Sequence, residues 1–270
     1  MRSPERVLNS LNEHSKDSSY KFERLYRILF NEELFYVAYQ KIASNGGSTT
    51  KGSDGRSIDE MSLARIETLI ASLKDESYQP HPSRRVHIPK KNGKTRPLGI
   101  PAFEDKLVQE VVRMILEAIY EGHFEDTSHG FRPNRSCHTA LRDIKVTFKG
   151  TRWFIEGDIK GFFDNVDHPK LLRQIWQLGI QDKHLLYVLR QILKAPIKMP
   201  DGGIILPEKG TPQGGIISPL LANIVLNELD HWIDSQWLEH PVLSEYKLPV
   251  NKNGNTICSN GYAAMRKTAL

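Results

Sequence analysis

A chain of 270 residues with 39% hydrophobic and 26% charged side chains has enough apolar mass for one large or two small globular domains. Its formal net charge of +5 is mildly basic, so where the cations sit matters more than their sum. Cys137 and Cys258 stand at no metal-ligand spacing and imply no disulfide framework, and no apolar run reaches membrane-spanning length. The opening Met1-Arg2-Ser3-Pro4 has no apolar stretch behind it, so the expectation is a soluble, cytoplasmic protein without a signal peptide.

Residues 1–18 are polar and read as frayed at the start. From Tyr20 to Ile42 the apolar residues fall at helical spacing, with a break near Asn31. Ser44 to Asp59 is a loop rich in glycine. A second amphipathic helix spans about Ser62 to Ser72. The most charged stretch follows. Arg84 to Arg96 carries six Lys or Arg and no acid: Arg84, Arg85, Lys90, Lys91, Lys94 and Arg96. Asn92-Gly93 within it predicts a type I′ hairpin turn. Such a ribbon could be a charged edge that keeps sheets apart. The density of like charge favours a polyanionic partner.

Glu104 to Tyr120 has a wide apolar stripe and reads as a buried helix. The loop His129 to Ser136 carries Phe131, Arg132 and Arg135, and a helix follows to Phe148. Trp153-Phe154-Ile155 then reads as a buried strand that delivers a carboxylate, Asp158, between Gly157 and Gly161. Taken alone, Asp158 is either a turn aspartate capping the next helix or a ligand for a hard cation such as Mg²⁺. Two helices follow at His168 to Gly179 and Asp182 to Leu193, then a hairpin at Ile197 to Leu206. Lys209-Gly210-Thr211-Pro212-Gln213-Gly214-Gly215 precedes a long helix, about Pro219 to Trp237. Free N–H groups at that helix entry favour anionic or base-edge ligands. Residues 251–270 read as a polar linker or disordered stretch.

Four motifs in order resemble reverse transcriptases, and most closely the group II intron-encoded kind, the maturases. They are Arg96-Pro97-Leu98-Gly99-Ile100-Pro101, His129-Gly130-Phe131-Arg132-Pro133, Asp158 with Phe163 five residues on, and Gly210-Thr211-Pro212-Gln213-Gly214-Gly215. The resemblance implies an α+β fold: helix-rich fingers with a basic β-hairpin, and an antiparallel palm sheet. It divides the chain into an N-terminal extension (1–60), fingers (61–150), a partial palm (151–250, with a fingers portion around 170–205) and residues 251–270. Its position-by-position implications are a metal-binding carboxylate at Asp158, with the Ile159 carbonyl facing the same Mg²⁺. Phe163 becomes the gate against the 2′-hydroxyl, Gln213 packs on the incoming nucleotide, and Lys90 and Arg96 grip its triphosphate. Lys91 is the register alternative to Lys90. Arg84, Arg85, Lys91, Lys94 and Arg132 are expected to contact RNA. The implied partners are dNTP, an RNA template with a DNA primer, and group II intron RNA. Trp232 and Trp237 mark core or a homodimer face.

Two-metal phosphoryl transfer needs carboxylates that hold two Mg²⁺ about 3.5–4 Å apart. The family's second pair lies in a Tyr/Phe-Ala-Asp-Asp box. No Asp-Asp dipeptide occurs in these residues, and Tyr262-Ala263-Ala264 is not that box. The chain therefore reads as fingers plus partial palm, inactive alone as a polymerase. Two other readings stand beside it: a non-catalytic intron RNA-binding splicing factor, and a metal nuclease built on Asp158, Asp164, Asp167 and His168.

Overall fold

The computed structural model describes residues 3–90, 93–148, 156–211 and 214–237. The described chain falls into two units. One joins residues 3–123 to Gly161–Val225, and the other takes Phe124–Lys160 and the chain from Leu226 on.

Helix α1 (Pro4–Ser15) starts the first unit, where the polar composition had pointed to a frayed end. Proline at its first turn suits a helix start, because that position needs no N–H. Leu11 is buried, and Asn12 donates to the Ala118 carbonyl at 3.3 Å. One buried apolar side chain in a twelve-residue helix is too few to show a helical period. The stretch after Tyr20 is not helical at first. Phe22 forms an isolated parallel bridge with Ile180, its N–H donating to the Gly179 carbonyl at 2.8 Å. A 3₁₀ turn (Tyr26–Phe30) then leads into α2 (Glu32–Ala43), and Asn31 caps α2 at the break the sequence marked.

Helix α3 (Leu63–Lys74) is capped by Ser62. Strands β1 (Ser83–Pro89) and β2 (Thr95–Ile100) form the basic hairpin. Helix α4 (Phe103–Tyr120) is the centre of this unit, with Leu107, Val108, Val111, Val112, Ile115, Leu116 and Ile119 all fully buried. Each such side chain contributes about 1.5–3 kcal/mol by leaving water. Helix α5 (Cys137–Thr147) belongs to the second unit and is closed by a Ser136–Thr139 capping box. Back in the first unit come α6 (Phe162–Asn165), α7 (His168–Leu178) and α8 (Lys183–Leu193). Asp167 caps α7 and Asp182 caps α8, as their positions ahead of apolar periodicity predict.

Short strands β3 (Ile197–Lys198) and β4 (Ile204–Ile205) pair as the second hairpin, and helix α9 (Ser218–Trp237) follows. The sheet order is β2-β1-β3-β4, with β1 and β3 parallel and the other pairs antiparallel. The fold is α+β as expected, but this sheet is mixed. The strand Trp153–Ile155 of the expected antiparallel palm sheet lies outside the described residues. Among the described residues no helix is long and apolar enough to cross a membrane.

Candidate nucleotide and nucleic-acid site

Strand pairing sorts the hairpin cations onto two faces. Arg84 lies opposite Ile100, Val86 opposite Leu98, and Ile88 opposite Arg96. Side chains alternate along a strand, so these residues share one face. The Lys90 N–H donates to the Lys94 carbonyl at 2.7 Å, which continues the same face to Lys90 and Lys94. Arg85 and His87 belong to the opposite face. The expected triphosphate pair, Lys90 and Arg96, is thus on one side together with Arg84 and Lys94, and Arg85 is separated from all four.

The turn is not the two-residue form centred on Asn92-Gly93. The Gly93 N–H donates to the Lys90 carbonyl at 3.1 Å, and Gly93 has φ +76°. That pattern closes the turn one residue earlier and leaves glycine in the left-handed position of a bulge. The second hairpin closes identically, from Gly202 (φ +90°) to the Met199 carbonyl at 3.0 Å. Lys91 and Asn92 lie outside the described residues.

Three of the motif segments converge in the first unit. The Thr211 N–H donates to the Phe163 carbonyl at 2.7 Å, and the Gly210 N–H to the Val166 carbonyl at 2.7 Å. His168 is buried and its Nε2 lies 2.6 Å from the Gly210 carbonyl oxygen. On the far side of Gln213, a Cβ at Gly214 (φ +101°) would sit 2.7 Å from the Gly99 carbonyl oxygen of β2. The Ile216 N–H is received at 3.0 Å by Oε1 of Gln109, buried on α4. Pro212 and Gln213 themselves lie outside the described residues, but the chain is fixed on both sides of them. Phe163, half-buried on α6 after Gly161 (φ +61°), is tied to this loop through its own carbonyl.

Asp158 lies in the second unit, in the irregular stretch 156–160, and its carboxylate is exposed. Ile159 is 49% exposed. An exposed carboxylate suits a hard cation, but Mg²⁺ takes six oxygen ligands. Among the described residues no group of three His, Cys, Asp or Glu is gathered at metal spacing. Two members of the nuclease reading have structural work: Asp167 accepts from the Lys170 N–H at 2.7 Å, and His168 Nε2 lies against the Gly210 carbonyl.

Arg132, expected to contact RNA, turns its guanidinium inward. It is 8% exposed, its Nη1 donates to the carbonyls of Glu125 and Ser128 at 2.6 and 2.9 Å, and it lies 5.3 Å over the Phe124 ring. It is held inward because the loop around it, with Phe131 and Asn134 at positive φ, leaves carbonyls that need donors. Arg84 also has a structural hold, donating to the Lys51 carbonyl at 2.8 and 3.2 Å, while remaining partly exposed. Sequence reasoning missed Lys106 and Lys209. Lys106 is 8% exposed and reaches the Thr50 carbonyl at 3.4 Å, where burial and the nearby Arg84 charge push its pKa down. A lysine inside an apolar helical stripe carries no distinguishing sequence signal.

The sequence profile described as "Reverse transcriptase (RNA-dependent DNA polymerase)" matches residues 88–258. The "Group II intron-encoded protein LtrA" of Lactococcus lactis subsp. cremoris is 51% identical over 229 residues, 84% of this chain and 38% of that protein. The "Uncharacterized 91 kDa protein in cob intron" of Schizosaccharomyces pombe is 43% identical over 250 residues, covering 90% and 30%. "Nuclear intron maturase 2, mitochondrial" of Arabidopsis thaliana is 28% identical over 260 residues, covering 76% and 35%. The chain thus spans well under half the length of these curated relatives. A solved "Partial Cas6-RT-Cas1--Cas2 complex" aligns with TM-score 0.51 at 24% identity over 78% of this chain and 35% of that one, which bears on the fold alone. The chain belongs to the reverse transcriptase family and is similar within it to group II intron-encoded proteins.

Proposed function

We propose that this chain is the fingers and partial palm of an RNA-directed DNA polymerase that also grips group II intron RNA as a maturase. The single observation that carries the reading is the convergence of the β2 motif, Phe163 and the Gly210–Gly214 loop. In this reading Lys90 and Arg96 hold the triphosphate, Phe163 bars a 2′-hydroxyl by its bulk, and Gln213 packs on the nucleotide. Arg84 and Lys94 on the same hairpin face hold nucleic-acid phosphates, while sequence is read by base pairing. Asp158 and the Ile159 carbonyl hold Mg²⁺, which neutralises developing phosphate charge when bound. The residues 1–60 extension, 61–150 fingers and 151–250 palm division belongs to the same proposal.

Because no Asp-Asp pair is present in these residues, the chain by itself should not support two-metal catalysis. The test is primer extension with Mg²⁺, dNTPs and an RNA template. The expected result is no synthesis, and robust synthesis would refute the missing-carboxylate argument. The second reading is a non-catalytic RNA-binding splicing factor, favoured by the exposure of Lys90, Lys94 and Arg96. Filter binding to intron RNA across salt, with and without dNTP, separates the two: dNTP-insensitive binding supports the splicing factor.

A further inference from the structure

The face of the hairpin opposite Lys90 and Arg96 opens on a cavity of ≈ 100 Å³, lined among others by Arg85, Asp164, Lys209, Gly210 and Thr211. Thr211 is 3% exposed, and its Oγ1 is buried without a hydrogen-bond partner among the described residues. A buried hydroxyl left unsatisfied costs about 1–3 kcal/mol, so its presence in a packed loop calls for a ligand. Arg85 is half-buried, and among the described residues no hydrogen bond or ion pair engages its guanidinium. Lys209 donates to the neutral Asn165 Oδ1 at 2.8 Å. Asp164 is the carboxylate on the lining, so two cations face one anion and the net charge there is positive.

We propose that Arg85, Lys209 and the Thr211 hydroxyl form a phosphate subsite, distinct from the triphosphate face of the hairpin. The guanidinium fork matches two oxygens of a tetrahedral phosphate, and the threonine hydroxyl supplies a third donor. The backbone N–H groups of Gly210 and Thr211 are already used by Val166 and Phe163, so recognition falls to these side chains. The shared ligand chemistry is a phosphoryl oxyanion. It arrives either as a phosphodiester of a bound nucleic-acid strand or as free phosphate or pyrophosphate. Neither template nor nucleotide is needed to detect it.

The test follows thermal unfolding of the whole chain against inorganic phosphate and pyrophosphate at constant ionic strength. A saturable rise in midpoint is expected, with apparent affinity about tenfold or more weaker in Arg85→Gln and in Thr211→Val. Thr211→Ser, which keeps the hydroxyl, and Lys183→Gln, which removes a distant cation, are expected to respond like the parent. Should Thr211→Val fail to fold, Lys209→Gln carries the same expectation. Absence of any saturable response in the parent, or a parental response in Arg85→Gln or Thr211→Val, overturns the subsite. Salt titration of single-stranded RNA binding then identifies the source. A log–log slope reduced by about 0.7 in Arg85→Gln supports a phosphodiester. An unchanged slope with the phosphate response lost supports the free anion.

Discussion

The amide of Thr211 donates to the carbonyl of Phe163 at 2.7 Å, and this bond ties the proposed sugar gate to the loop that carries Gln213. The approach is close because Gly210 has no side chain. A Cβ there would lie 2.9 Å from the carbonyl oxygens of both Phe163 and Asp164, at φ +87°. Gly214 is in the same position against β2, 2.7 Å from the Gly99 oxygen. Gly93 has a similar φ of +76° but open space around it. Gly93→Ala should therefore cost only the left-handed penalty, about 1–2 kcal/mol. Gly210→Ala and Gly214→Ala add backbone clashes and should cost about 3 kcal/mol or more. Urea unfolding of the three variants checks the order, and equal losses would contradict the clamp.

The elements legible in the sequence are those whose burial is periodic. The stripe from Leu107 to Ile119 gave α4 almost to its ends, and the capping aspartates Asp167 and Asp182 marked α7 and α8. Helix α1 escaped because it buries a narrow stripe against α4 and is otherwise polar. The hairpin was legible, but its turn was not: Asn92-Gly93 serves several turn geometries, and backbone pairing decides among them. The motif residues named the site, but not their division. One-residue alternation puts Arg84 and Arg85 on opposite faces, whereas charge density counts them together. Arg132 misled because an arginine in a loop reads as a surface cation until the loop's carbonyls are placed.

Arg84 anchors the loop before Ser57 through the Lys51 carbonyl, at 2.8 Å from Nη2 and 3.2 Å from Nε. Gly52 next to it packs so closely that a Cβ would lie 2.7 Å from the Ala102 Cα. Removing the guanidinium leaves an exposed loop with one anchor fewer. Arg84→Ala is expected to speed tryptic cleavage after Lys51 severalfold with the thermal midpoint little changed. An unchanged cleavage rate would show that Gly52 packing alone holds the loop.

Asp105, 2% exposed on α4, accepts from the Tyr78 hydroxyl at 2.8 Å and the His81 N–H at 2.9 Å. Burial pushes its pKa up despite these bonds, and its carboxylate holds the His81 pKa above the usual value through the contact to the imidazole. A histidine whose pKa is raised on folding contributes stability fully below its unfolded pKa and loses it as pH rises through the folded value. The protein is therefore expected to lose stability upward from about pH 6.5. His81→Gln should flatten that limb of a stability–pH curve, and a curve identical to the parent would exclude the pair as its source. Asp105→Ala, which strands the Tyr78 hydroxyl, should cost about 3 kcal/mol above the His81 transition and more below it, where the contact to the protonated imidazole is lost as well.

Arg132 offers a way to tell a structural arginine from an RNA contact. Its guanidinium satisfies two loop carbonyls and stacks over Phe124, so it acts on the fold of the second unit rather than on a phosphate. Arg132→Ala leaves both carbonyls without that donor and should cost about 3 kcal/mol. Arg132→Lys keeps the charge but loses the planar stacking and should cost about 1–2 kcal/mol. In RNA binding, measured well below the midpoint of either variant, the salt slope should match the parent for both. An arginine that touched RNA would give the reverse: a midpoint unmoved and a slope lowered by about 0.7 for the phosphate lost. The two readouts therefore move in opposite combinations, and the hairpin cations Lys94 and Arg96, untouched in both variants, contribute equally to each slope.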